Sequence, residues 1–221
     1  MIGTPLIRWN WIGDHLHEIR IALVQHLALT FIAVGVGFVI SALLAAIAIR
    51  LRFSYQTVNA ITGILYAIPS LALFILLTPI FGLTALTAEI ALVSYTLQIL
   101  FRSIVAGIEG VPASVRESAQ AMGYTRRQQL WRVEVPIGLP VIVTGLRIAT
   151  VTTVGLVPIA AILGSDQGGL GRFIFDGLDR GFNTPILVGA VLTVFLAVVL
   201  DVLLVRMQRV LTPWLRHSRA S

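Results

Sequence analysis

The stretch VPASVRESAQAMGYTRRQQLWRVEVP, residues 111–136, is a polar island between long apolar runs, and its reading decides what kind of chain this is. Ser114 and Glu117 have the spacing of a capping box, in which a hydroxyl and a carboxylate each satisfy a free backbone N–H at a helix start. Gly123 suits the left-handed residue that ends such a helix, and Thr125 with Gln128 repeats the capping pattern. The expectation is helix, glycine turn, helix. Val115, Ala119 and Met122 fall on one face of the first helix at i, i+4 and i+7, while Arg116 and Gln120 point elsewhere. A helix with that pattern lies against another surface.

Outward from the island the chain is apolar. Of its 221 residues 57% are hydrophobic and 12% charged, against roughly 45–50% and 25% in soluble domains. That composition belongs in a bilayer. With no cysteine there is no disulfide framework, thiol nucleophile or thiolate metal site. The formal charge of +6 resides in arginines gathered at the ends of apolar runs, a placement that fits membrane topology and not nucleic-acid binding. Residues 1–20 carry Trp9, Asp14, His15, His17 and Glu18 where a signal peptide would have an apolar core, so the first span is expected to serve as the insertion signal. Trp9 and Trp11 suit an external segment resting at the membrane interface.

Five runs are long and apolar enough to cross a hydrocarbon core of about 30 Å. They are residues 21–49, 58–81, 86–108, 136–163 and 185–205. The expected fold is all-α and polytopic, with an external segment 1–20, a membrane domain 21–206 and a cytoplasmic tail 207–221. An outside N-terminus leaves Arg8, Arg20, Arg172 and Arg180 outside and the island, with most arginines, in the cytoplasm, as the positive-inside rule requires. Pro69 with Ser70 interrupts the second run, Pro79 lies near its end, and Pro158 interrupts the fourth. Each freed carbonyl needs a protein or water partner, so each break is either a bend lining a wet path or an ordinary packed kink. Residues 164–184 are too polar to span and are expected to form a flexible outer loop. The run Gly168-Gly-Leu-Gly171 lacks both the preceding strand and the following Lys-Ser/Thr of a phosphate cradle.

The island also resembles a known signature. Glu117-Ser-Ala-x3-Gly123-x9-Val133-x-Val135-Pro136 is similar to the EAA motif, Glu-Ala-Ala-x3-Gly-x9-Ile-x-Leu-Pro, of membrane permeases in bacterial ATP-binding-cassette importers. Ser118 and the two valines are mild departures. The resemblance implies a coupling segment, about residues 112–134, that docks in a groove of a cytoplasmic ATPase through Ser114, Val115, Glu117, Ala119, Met122, Gly123 and Thr125. Ile68-Pro-Ser-Leu-Ala-Leu-Phe74, Gly145-Leu-Arg-Ile-Ala-Thr150, Gly168-Gly-Leu-Gly171 and Ile174-Phe-Asp-Gly-Leu178 resemble the osmoprotectant branch, carriers of glycine betaine, choline or carnitine. Ser165-Asp-Gln167 lengthens the loop relative to that branch, and methionine importers share the EAA segment. The resemblance implies an inner-membrane importer of two permeases, two ATPases and an external solute-binding protein. No Gly-x4-Gly-Lys-Ser/Thr occurs here, so ATP with magnesium is expected in the partner ATPase, with no cofactor, metal or catalytic residue in this chain.

Charges and aromatics inside the spans give the remaining candidates. Arg147 lies about eleven residues, roughly 16 Å of helix, beyond Pro136, a depth at which a charge needs compensation. Either Asp201 pairs with it, or Arg147 snorkels to the headgroups and Asp201 pairs with the arginines that follow. Glu89 is expected at the outer end of the third span, hydrated. A quaternary ammonium has no N–H to donate and is held by aromatic faces, for which Tyr66, Phe74, Tyr95 and Phe101 are candidates. Pro69, Ser70, Gln98 and Arg147 complete the expected path. An intramembrane enzyme would need a catalytic set, but there is no His-Glu-x-x-His and His26 stands alone; His26 is expected to face a neighbouring helix. A secondary transporter would show internal repeats and midplane acids, and neither is evident.

Overall fold

The computed structural model describes residues 7–51, 54–164 and 167–213, which are helical with no strand among them. A short α1 (Trp9–Asp14) leads into α2 (Leu16–Arg50), so the first span begins inside the expected external segment. The second run is two helices, α3 (Ser54–Ala67) and α4 (Ser70–Phe81), set at 98° to each other. Then come α5 (Ala85–Glu109), α6 (Ala113–Ala121), α7 (Arg126–Gln129) and α8 (Val135–Leu156). A π-helical turn, Leu130–Glu134, joins α7 to α8, and a 3-10 segment, Val157–Leu163, continues α8. The helix that carries the fourth span therefore starts at Arg126, ten residues before the expected Pro136, and changes pitch beside Pro158. The described chain ends with α9 (Gly171–Asp179) and α10 (Asn183–Leu211).

The break at Pro69 has a local cause. Proline disfavours helical geometry in the residue before it and donates no N–H, so α3 stops at Ala67 and α4 restarts with Pro69 as its cap. The carbonyl of Ile68 then accepts a hydrogen bond from the Tyr95 hydroxyl. With 14 and 12 residues, or roughly 21 and 18 Å, neither piece alone spans a bilayer.

Helix directions decide how many times the chain crosses. Leu29 and Ala33 of α2 share a buried cluster with Ala88, Ala91 and Leu92 of α5. Ser41 donates to the Leu97 carbonyl at 3.2 Å, and Ala45 and Ala48 pack with Phe101, Ile104 and Val105. Both sequences ascend together, so α2 and α5 run parallel. The chain must recross between them, which makes the bent α3–α4 pair one full crossing and gives five among the described residues. Pairing of Gly107 with Gly138, of Arg147 with Asp201 and of Val154 with Leu196 runs in descending order, so α8 is antiparallel to both α5 and α10. One face of the molecule thus carries α1 and α9; the opposite face carries α6 and the C-terminal ends of α2, α5 and α10.

The α5–α8 crossing is made of small residues. A Cβ on Gly107 would lie 2.9 Å from the Gly138 carbonyl oxygen, so the two backbones touch with no side chain between them. Close approach of this kind replaces the hydrophobic driving force that lipid cannot supply.

Two expectations fail at the α9 face. Residues 167–184 are not a loose loop: Leu170 and Phe173 are buried with Ala22, and Arg172 pairs with Glu18 at 3.4 Å. The fully buried His26 lies at the centre. Its Nε2 lies 3.0 Å from the Val154 carbonyl oxygen, and its Nδ1 accepts the Leu170 N–H at 3.4 Å, so one imidazole ties α2, α8 and this segment together. The expected contact of His26 with a neighbouring helix is present. Ser165 and Asp166 lie outside the described residues. Glu89 is not hydrated as expected, because α4 and the 3-10 segment pack over that end of α5; both carboxylate oxygens are buried without a hydrogen-bond partner among the described residues.

Candidate docking surface and translocation path

The island folds as helix, glycine turn, helix, with one correction at its start. Pro112 sets the entry, α6 begins at Ala113, and no side chain caps it. Ser114 therefore sits within the first turn and not at the cap. Its carbonyl accepts the Ser118 hydroxyl at 2.8 Å, and Glu117 stays exposed. The other two signals hold. Gly123, at φ +80, closes α6: its N–H reaches the Gln120 carbonyl at 2.9 Å while the Tyr124 N–H reaches the Ala119 carbonyl at 3.1 Å. That pair of bonds is the Schellman arrangement. Thr125 and Gln128 form a full capping box, with the Gln128 N–H donating to Thr125 at 3.3 Å and the Thr125 N–H to Gln128 at 2.9 Å.

Val115, Ala119 and Met122 do not form one packed face. Ala119 is buried and Val115 half-buried, but Met122 is 66% exposed, because the helix ends there and its last turn projects from the bundle. What holds α6 down is a polar network that the spacing of the motif does not announce. Arg116 donates from Nη2 to the Ile108 carbonyl at 2.6 Å, at the C-terminal end of α5, and its Nε lies 3.3 Å from Glu134 Oε1. Gln129 donates to the same Glu134 oxygen at 2.9 Å, and Gln120 donates to Gln129 at 3.4 Å. Gln129 and Glu134 are buried. The network ties α6 to the end of α5 and the start of the fourth span, so a push on α6 reaches two crossings at once. The legible signal was Glu134, a lone acid at the entrance of an apolar run. Ser114, Glu117, Ser118, Ala121 and Met122 remain exposed on α6 and its end.

The expected path residues divide. Tyr66 is exposed and meets Tyr95 edge-on, with ring centroids 6.0 Å apart, beside the Pro69 break. Pro69 is exposed and Ser70 half-buried. Phe74 and Phe101 are fully buried in separate clusters, Phe101 against Tyr55, so the expectation of open aromatic faces fails for both. Tyr95 is buried and turns its hydroxyl to the break. Gln98 is an inter-helix tie: its Oε1 accepts the Thr62 hydroxyl and its Nε2 donates to Asn59 at 3.3 Å, fastening α3 to α5.

Of the two readings of Arg147, pairing is the one observed. Its Nε donates to Asp201 Oδ1 at 3.1 Å, and its Nη2 to Oδ1 and Oδ2 at 2.9 and 3.2 Å. Gln208 extends the polar line toward the α6 face, donating to the Pro140 carbonyl at 3.1 Å and to the Thr144 hydroxyl at 3.2 Å. A groove of about 500 Å³ opens between α8 and α10 with Arg147 and Asp201 in its wall.

Comparison with known proteins gives the chain a family. Residues 37–217 match the family described as the binding-protein-dependent transport system inner membrane component. The chain is 37% identical over 194 residues to the osmoprotectant import permease protein OsmW of Salmonella typhimurium, covering 86% of this chain and 89% of that protein. It is 33% identical to the choline transport system permease protein OpuBB of Bacillus subtilis, over 86% of each. Among solved structures, an inward-facing form of the MetNI methionine ABC transporter has the same fold, with a TM-score of 0.76 at 24% identity over 93% of this chain and 100% of that one. The chain is thus a multi-pass membrane protein, and it belongs to the family of binding-protein-dependent transport system inner membrane components.

Proposed function

We propose that the chain is the membrane-spanning permease of an ATP-driven importer for a small osmoprotectant, a quaternary amine such as glycine betaine, choline or carnitine. The observation that carries the cargo is the similarity, over 86% of the chain, to an osmoprotectant permease and a choline permease. The likeness to the methionine transporter concerns fold alone at 24% identity. ATP hydrolysis then resides in a partner ATPase, capture of the solute in an external binding protein, and the path between this chain and a second permease.

In this reading α6 is the docking helix. Its exposed side presents Ser114, Glu117 and Met122, and the Arg116–Glu134 network passes displacement to α5 and α8. The N-terminus is outside and α6 cytoplasmic. Support comes from the arginines: Arg50, Arg102, Arg126, Arg127, Arg132, Arg206 and Arg209 lie toward the α6 face, against Arg8, Arg20, Arg172 and Arg180 toward the other. The test is uptake of radiolabelled glycine betaine and choline by the importer reconstituted with its ATPase and binding protein. ATP-dependent uptake of at least one, competed by the other, is expected; an importer that moves methionine and ignores quaternary amines would overturn the cargo.

A further inference from the structure

The break between α3 and α4 lies at mid-membrane. Tyr95, whose hydroxyl donates to the Ile68 carbonyl, is the eleventh of the 25 residues of α5. From the other side, α3 has run 14 residues, roughly 21 Å, before it stops. The carbonyls of its last turn, ending at Ala67, have no partner within the helix, and Pro69 offers no N–H to take one up. That end of a helix also carries partial negative charge. Tyr66, Ala67 and Pro69 are nevertheless exposed, Tyr66 by 43%. Irregular backbone at such depth is tolerated only against protein or a water-filled cavity, so this side of the molecule does not face lipid. The same side stays polar below the break. Gln98 and Arg102 follow Tyr95 by three and seven positions on one face of α5, Gln98 half-buried and bonded to Thr62 and Asn59, Arg102 exposed. On α3 the exposed Gln56 shares a face with Asn59 and with Gly63, which lies against Gln98. A polar line therefore descends from the break to the α6 face along the α3–α5 seam, as a hydrated solute on its way to that face requires.

We propose that the break is where the quaternary ammonium of the solute rests during passage, against the exposed Tyr66 ring and the carbonyl end of α3. The proposal rests on the reading of the cargo as an osmoprotectant. A quaternary ammonium has no N–H to donate, but its methyl groups carry positive charge and are attracted to a π face and to carbonyl oxygens alike. Half-helix ends and unwound carbonyls at mid-membrane serve cations in other transport proteins for the same electrostatic reason. The contact touches the trimethylammonium group alone, so it serves glycine betaine, carnitine and choline without distinguishing them. One ring and one helix end make a weaker site than a closed aromatic cage, and the polar line below gives the solute a way out.

Two measurements test this. In the permease–ATPase complex, Ala67→Cys should react with a thiol reagent bearing a trimethylammonium group, and faster than Val194→Cys, which is 64% exposed at a similar depth on the apolar side of α10. Millimolar glycine betaine or choline should slow the reaction at Ala67→Cys, and methionine should not. Equal rates at the two positions would mean that the break is dry, and a rate indifferent to quaternary amines would mean that it is wet but holds no ammonium; either overturns the proposal. In the reconstituted importer, Tyr66→Phe should keep uptake close to wild type, while Tyr66→Leu should lower glycine betaine and choline uptake alike, by about tenfold, with co-purification of the ATPase unchanged. No loss, or loss of one solute only, would remove the ring from the site. If Tyr66→Leu does not assemble, the labelling decides. An importer that transports quaternary amines normally yet fails these tests loses only the site at the break; one that transports none loses the functional reading itself.

Discussion

Glu134 is the residue on which the anchoring of α6 depends. Its buried carboxylate accepts a hydrogen bond from Gln129 and forms an ion pair with Arg116, so replacing it by alanine leaves Gln129 short of an acceptor and Arg116 without its counter-charge. Removing a buried acceptor of this kind costs about 1–3 kcal/mol. Because Arg116 is partly exposed, water recovers some of that. Glu134→Ala should therefore raise amide hydrogen exchange in α6 by roughly five- to hundredfold, with exchange in the middle of α5 unchanged. Equal protection in variant and wild type would remove the network from any role in coupling. Gly123 poses a different problem: nothing lies within 4 Å of a Cβ placed there, so only its φ of +80 matters. A β-branched residue in that backbone conformation costs about 1–2 kcal/mol, whereas asparagine tolerates it. Gly123→Val should weaken co-purification of the partner ATPase with membrane insertion intact, and Gly123→Asn should behave close to wild type.

Among the elements, the α5–α8 pair is the most intimate, and its contact is backbone on backbone. Gly107→Ala drives a methyl to 2.9 Å from the Gly138 carbonyl oxygen. Overpacking of that order costs about 1–3 kcal/mol. Gly155, on the same α8, would have nothing within 4 Å of an added Cβ, and alanine there should be neutral or mildly stabilising. Thermal unfolding in detergent is expected to drop by several degrees for Gly107→Ala and not at all for Gly155→Ala. Similar midpoints would mean that the crossing is looser than a backbone-on-backbone contact. The bent α3–α4 pair follows a related logic: Tyr95 satisfies the carbonyl that Pro69 exposes, and the Asn59–Thr62–Gln98 cluster holds the first half in place.

At the scale of the whole molecule, parallel α2 and α5 force five crossings and put the two ends of the described chain on opposite faces. The chain has no cysteine, so single cysteines report orientation without background. Leu178, on α9, and Ser118, on α6, are both exposed and lie on opposite faces. A membrane-impermeant thiol reagent on intact cells should label Leu178→Cys and leave Ser118→Cys unlabelled until the membrane is opened. The reverse pattern would invert the orientation and with it overturn the proposed docking of α6 to a cytoplasmic ATPase.

What the sequence determined by itself is whatever depends on chemistry within a few residues. The length of the apolar runs, the break at Pro69, the left-handed Gly123 and the Thr125–Gln128 box all follow from neighbours no more than a turn away. Even there, one adjacent residue overrode the pattern when Pro112 moved the start of α6 ahead of Ser114. Tertiary structure alone decided which charges meet. Arg147 and Asp201 are 54 positions apart, and Arg116 reaches both Glu134 and the end of α5. It also decided the 98° bend, the burial of Phe74 and Glu89, and the packing of α9 onto His26. The physical reason lies in the solvent. A soluble helix advertises its buried face by a polar opposite side, whereas a helix apolar all round offers no such stripe, and its facing is set by where glycines, hydroxyls and charges find partners on other helices.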